Sequence, residues 1–116
     1  MFQKINKTDS GSLSINLIGA GTSITGDIVS SGDVRIDGSL KGNITISGKL
    51  VIGSTGKIEG DVTCQNADLS GELIGTATIK ELLQLKASSK LFGDIITSQL
   101  SIEPTAIFEG NCKRIE

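Results

Sequence analysis

The sequence contains no histidine, tryptophan or tyrosine, and a single proline among its 116 residues. Without histidine, Ser-His-Asp and Cys-His nucleophilic constellations are impossible, and the commonest general base and metal ligand is lost. Without tyrosine and tryptophan, the usual stacking platforms for sugars are missing. Two cysteines, Cys64 and Cys112, make neither a disulfide framework nor a zinc spacing, so free thiols in a cytosolic core are the simplest reading. There is no run of about 18 apolar residues to span a bilayer. The amino terminus, MFQKINKTDS, lacks the apolar core of a secretory signal. Net charge is −2 with both signs interspersed, which offers no basic field for nucleic acid. Neither GxxxxGK[ST] nor GxGxxG occurs, so no nucleotide or other cofactor is expected. The expected metal content is also nil, and the expected location is the cytoplasm.

What is present is aliphatic and periodic. Hydrophobic residues make up 37% of the chain and aromatic residues 3%, while glycine occurs 15 times. β-Branched residues punctuated by glycine favour short strands and tight turns. One pattern recurs six times: an apolar residue, any residue, Gly, a small polar residue, then an apolar or small one. The copies centre on Gly26, Gly42, Gly60, Gly75, Gly93 and Gly110, at spacings of 16, 18, 15, 18 and 17 residues. Between them lie alternating pairs: Val34/Ile36, Leu50/Ile52, Ala67/Leu69, Leu83/Leu85 and Leu100/Ile102, with Ile15/Leu17 read as a half-copy before the first motif. Alternation places every second residue on one face of a strand.

Each repeat therefore makes about three short strands, and stacked repeats bury a continuous core that no single repeat could bury alone. The expected fold is all-β, a single parallel β-helix of about six coils with a roughly triangular aliphatic core. A strict six-residue period is absent, which favours the right-handed form. Ile79-Lys80-Glu81-Leu82-Leu83-Gln84-Leu85 passes for a helix in isolation, but its register with the other copies makes it strand. The expected organisation is a flexible tail over residues 1–12 and the β-helix over 13–116.

A solenoid exposes apolar core atoms and unpaired strand edges at both ends unless it is capped. No cap is evident here, so self-assembly through the ends is expected, with Ile15, Leu17, Phe108, Cys112 and Ile115 as contact residues. Phe108 is the only aromatic residue at an inward position. Ile74, Phe92 and Ile96 fall at outward positions, as does Leu82, and the first three are candidates for lateral contact. The residues after the repeat glycines, Asp27, Asn43, Asp61, Thr76, Asp94 and Asn111, suit the turn beside a glycine. Carboxylates two coils apart cannot share one calcium ion. A monomeric surface- or carbohydrate-binding β-helix is the competing reading, and an enzyme is a third.

The stretch from Leu17 to Cys112 resembles the bactofilins. The resemblance rests on Gly26-Asp27-Ile28, Gly32-Asp33-Val34-Arg35-Ile36-Asp37-Gly38, Lys41-Gly42-Asn43-Ile44, Gly60-Asp61-Val62, Asn66-Ala67-Asp68, Lys80-Glu81-Leu82-Leu83-Gln84-Leu85 and Gly93-Asp94-Ile95, taken in order. It implies a cytoskeletal protein that polymerises without nucleotide into non-polar filaments, head to head and tail to tail. It also implies scaffolding at the inner face of the bacterial membrane, in cell shape or cell-wall work, with peptidoglycan-remodelling enzymes as partners. A short apolar-basic start serves as a membrane-targeting segment in many members; here Met1, Phe2, Lys4, Ile5 and Lys7 resemble it. An apolar residue near the last coil supports polymerisation in the family, and Phe108 is the matching position.

Overall fold

The computed structural model describes residues 15–115. They form twelve strands: β1 (Ile15–Ile18), β2 (Ser23–Thr25), β3 (Ile28–Ser30), β4 (Asp33–Ile36), β5 (Ser39–Lys41), β6 (Ile44–Ile46), β7 (Lys49–Ile52), β8 (Lys57–Glu59), β9 (Val62–Leu69), β10 (Glu72–Leu85), β11 (Lys90–Ile102) and β12 (Ile107–Arg114). Every pairing is parallel, and each strand pairs with its counterpart one repeat away. The result is a parallel β-solenoid of about six turns with three faces. β2, β5, β8 and the leading parts of β10, β11 and β12 make the first face. β3, β6 and the following stretches of the long strands make the second. β1, β4, β7 and the trailing parts of β9, β10 and β11 make the third.

Five inward columns fill the interior. On the first face Ile24, Leu40, Ile58, Leu73, Leu91 and Phe108 stack one per coil. On the second face Ile28, Ile44, Val62, Ala77, Ile95 and Cys112 do the same. The third face contributes the column Ile18, Ile36, Ile52, Leu69, Leu85, Ile102. In the middle coils these side chains are almost wholly buried. Burying each Leu or Ile stabilises the fold by roughly 1.5–3 kcal/mol before conformational entropy is counted.

The unequal repeat lengths have a local cause. The corner between the third and first faces holds either two residues (37–38 and 70–71) or four (19–22, 53–56, 86–89 and 103–106). The corner between the second and third faces holds one residue or two, which appears as a register shift after Ile79. The three faces keep constant strand lengths, and all the slack sits in these two corners.

This rule corrects the reading of the first half-copy. Because the longer corner differs by two residues, inward side chains of the third face always stand an even number of positions before the next repeat glycine. Leu17 stands nine before Gly26 and Ile15 eleven. The structure accordingly pairs Asn16 with Val34 and Ile18 with Ile36, while Leu17 pairs with Arg35 on the outer surface and is 64% exposed. The Ile18 carbonyl accepts from the Asp37 N–H at 2.7 Å, and the Thr22 N–H closes the corner on the Gly19 carbonyl at 3.2 Å.

The repeat glycines line the edge between the first and second faces with φ of +135° to +146°. At Gly60 the need is steric as well as torsional: a Cβ there would collide with the Gly42 carbonyl of the preceding coil. At Gly26 a Cβ would meet nothing within 4 Å, because among the described residues no coil lies above it.

Candidate polymerisation interface

The interior columns run straight out through both ends. At the amino-terminal end Ile18, Ile24 and Ile28 pack on the core beneath them but stay partly exposed above. Asn16 and Ser30 complete that layer in the two remaining columns. At the carboxy-terminal end Leu100 and Phe108 are half-buried, and Ile102 is 48% exposed. Cys112 lies under Ile95 and Arg114 under Thr97, both exposed. Among the described residues no helix or loop covers either layer. Exposed apolar side chains beside unpaired strand edges are a template for another chain.

Phe108 therefore sits where the sequence puts it, in the inward register over Leu91 in the last coil. Cys112 also keeps its inward register, but among the described residues no coil covers it and it is exposed, so Cys64 is the core thiol of the two. Burial pushes the Cys64 thiol up to about 12, against a smaller opposing pull from a backbone hydrogen bond at Leu50. Ile115 is half-buried, its N–H donating to the Thr97 carbonyl at 3.0 Å. At the other end the layer is made by Ile18, Ile24 and Ile28, which sequence reasoning did not single out. The even-offset rule would have found Ile18. The two others were visible as the first members of their columns.

The small polar residues after the glycines do more than suit a turn. The Asn43 N–H donates to Asp27 Oδ1 at 3.0 Å, the Asp61 N–H to Asn43 Oδ1 at 3.1 Å, and the Thr76 N–H to Asp61 Oδ1 at 3.3 Å. These side chains tie each coil to the next along one edge. The three candidate lateral residues do not form one patch. Ile74 and Phe92 are paired neighbours on the first face, whereas Ile96 pairs with Thr78 on the second, across the glycine edge. Leu82 lies on the outer side of the third face between Asn66 and Gln99. Met1, Phe2, Lys4, Ile5 and Lys7 lie outside the described residues.

The family profile of the bactofilins, described as polymer-forming cytoskeletal, matches residues 16–113. The chain belongs to the bactofilins. Bactofilin BacO of Myxococcus xanthus (strain DK1622) is 30% identical over 95 residues, which cover 82% of this chain and 75% of that protein. The cytoskeletal bactofilin BacA, solved by solid-state NMR, superposes with a TM-score of 0.79 at 32% identity, covering 88% of this chain and 97% of BacA. The bactofilin of Thermus thermophilus, reconstructed by cryo-EM as double helical filaments, superposes with a TM-score of 0.80 at 27% identity. That match covers 86% of this chain and 99% of the other. Fold and family thus agree with the bactofilin resemblance carried by the repeat motifs, and the family's polymer-forming character gives the open end layers of this bactofilin their context.

Proposed function

We propose that this chain is a non-catalytic cytoskeletal scaffold whose subunits join end to end, without nucleotide, into non-polar filaments at the cytoplasmic face of the bacterial membrane. The observation that carries the proposal is the pair of end layers that stand open among the described residues, each with apolar core side chains exposed and strand edges unpaired. Joining like ends buries Ile18, Ile24 and Ile28 against their own copies, and Leu100, Ile102 and Phe108 against theirs. The double helical form of the Thermus thermophilus protein supports a further step, in which two such strands lie side by side. The tail residues Met1, Phe2 and Ile5 give each subunit a weak apolar hold on lipid, and Lys4 and Lys7 add about 1 kcal/mol each beside an anionic leaflet. A filament displaying many tails gains avidity that a lone subunit lacks. Such a polymer would organise cell-shape or cell-wall machinery, with peptidoglycan-remodelling enzymes as its clients.

Electron microscopy of the purified chain without nucleotide or metal tests the assembly. The parent forms filaments. Phe108→Arg stops growth at pairs of rods joined by their amino-terminal ends, Ile24→Arg at pairs joined by the opposite ends, and the double variant gives single rods. Single rods from either single variant would overturn the like-to-like arrangement, and unchanged filaments from both would overturn the end layers as the contact. Co-sedimentation with anionic vesicles tests the tail: the parent pellets, and tight binding by the double variant would contradict the avidity argument.

A further inference from the structure

The three outer faces differ in charge. The first face carries Lys41, Lys57, Glu59 and Lys90 at outward positions, with Lys41 and Glu59 4.0 Å apart. The third carries Arg35, Lys49 and Asp68, the last two joined at 3.0 Å. The second face has a single outward column, Val29, Thr45, Thr63, Thr78 and Ile96, and meets its first charge only at Lys113 in the last coil. All five side chains are β-branched and therefore stiff about χ1. Val29 is 82% exposed and Thr45 is exposed, with the other three half-buried. The neighbouring Asp27 and Asp61 already accept backbone N–H groups from the next coil. The result is a stiff ridge five coils long whose own side chains carry no charge, flanked along the glycine edge by the carboxylates of Asp27, Asp61 and Asp94.

We propose that this ridge is the surface on which two filament strands of this chain lie against each other, so that its occupant is a second copy. The proposal rests on the filament reading above and names the face it uses. The order of the column supports a self-contact. Reversed about Thr63, Val29 faces Ile96, Thr45 faces Thr78, and Thr63 faces itself, so the ridge reads alike in both directions. A non-polar filament alternates the direction of its subunits, and a lateral surface must then accept a neighbour of either direction. The first face fails that requirement, because the same reversal sets Glu59 against Glu59 and Lys41 against Ile74.

The size of the ridge sets when it acts. Five coils span about 19 Å, and the length of a three-residue strand, about 10 Å, gives on the order of 200 Å² per copy. A stable pairwise complex buries about 800 Å² per partner. Two lone subunits therefore do not hold together through the ridge. A strand that repeats it in every subunit does, because each contact raises the effective concentration for the next. Lateral pairing follows polymerisation and does not precede it.

The test is the mass per length and width of filaments of the full chain by electron microscopy, with circular dichroism confirming that each variant folds. The parent gives paired strands. Thr63→Lys/Thr78→Lys, and independently Val29→Lys/Ile96→Lys, still polymerise but give single strands with a twofold lower mass per length. Phe92→Lys, on the first face, stays paired. The non-polymerising Ile24→Arg/Phe108→Arg chain sediments as a monomer. Paired strands in both second-face variants, separation caused by Phe92→Lys, or a stable dimer of the non-polymerising chain would each overturn the assignment. Single-stranded parent filaments would overturn this proposal alone, whereas a parent forming no filaments would overturn the filament reading and this proposal with it.

Discussion

Ile58 and Ile24 occupy the same column of the first face, one in a middle coil and one in the end layer. The first is fully buried and the second only half-buried. Ile52 and Ile102 repeat the contrast on the third face, and Gly60 and Gly26 repeat it along the glycine edge. Residue type and column are shared within each pair, and what differs is whether the described coils flank the residue on both sides. A side chain that stabilises the monomer in the middle becomes an unsatisfied contact at the end. In a repeat architecture stability resides in the interfaces between neighbouring coils, and the same interface chemistry is what an end layer offers to another molecule.

Paired substitutions break or sharpen that contrast, measured by denaturant unfolding in the non-polymerising Ile24→Arg/Phe108→Arg background. The largest difference is expected at the glycines. Gly60→Ala suffers both an unfavourable φ and a collision with the Gly42 carbonyl, and should cost about 3–5 kcal/mol. Gly26→Ala suffers the φ alone, at about 1–2 kcal/mol. Equal losses would show that the torsion decides both positions.

Next comes the core. Ile52→Ala should cost about 2–5 kcal/mol, and Ile102→Ala roughly half as much, in keeping with its 48% exposure. In the parent, Ile102→Ala should instead raise the concentration needed for filaments, read by light scattering.

The thiols give a smaller and pH-dependent contrast. In the folded non-polymerising chain at pH 8 a maleimide should modify Cys112 and spare Cys64; both react in denaturant. The folded Cys64 holds its proton to about 12, whereas an unfolded thiol releases it at about 8.5. Above that pH the unfolded state binds fewer protons than the folded one, so the thiol's contribution to stability falls as pH rises toward 12. The stability advantage of the chain with Cys64 over its Cys64→Ala variant should therefore shrink between pH 8 and pH 11.

The smallest difference is expected at the polar edge. Asp61→Ala removes the acceptor of the Thr76 N–H and should cost about 1 kcal/mol. Asn111→Ala, in the last coil, should cost close to nothing in the same background.

Much of this was legible beforehand. Six glycine motifs and the alternating pairs between them specify three strands per coil, and the inward columns follow from Val34/Ile36 through Leu100/Ile102. The stretch from Ile79 to Leu85, ambiguous alone, reads as strand because its neighbours do. Register at the first coil was misread because Ile15/Leu17 and Asn16/Ile18 both offer an alternating pair, and hydrophobicity favours the wrong one. The parity of the corner decides between them, and that parity is a property of the whole set of repeats. The bonds from Asp27, Asn43 and Asp61 were missed because they depend on how far one coil sits from the next. Ile74, Phe92 and Ile96 share an outward direction in sequence but not a face, since the glycine edge lies between them.

The corner that takes either two residues or four has a practical use. It lies opposite the second face in the three-sided cross-section, and it absorbs extra chain without disturbing strand register. In the third coil its tip, Ser54 and Thr55, is exposed. A peptide epitope or a small fluorescent domain spliced between these residues would project away from the uncharged ridge and clear of both ends. Every subunit could then be marked at one defined edge, and live-cell imaging would follow an assembly whose growth and pairing are left intact.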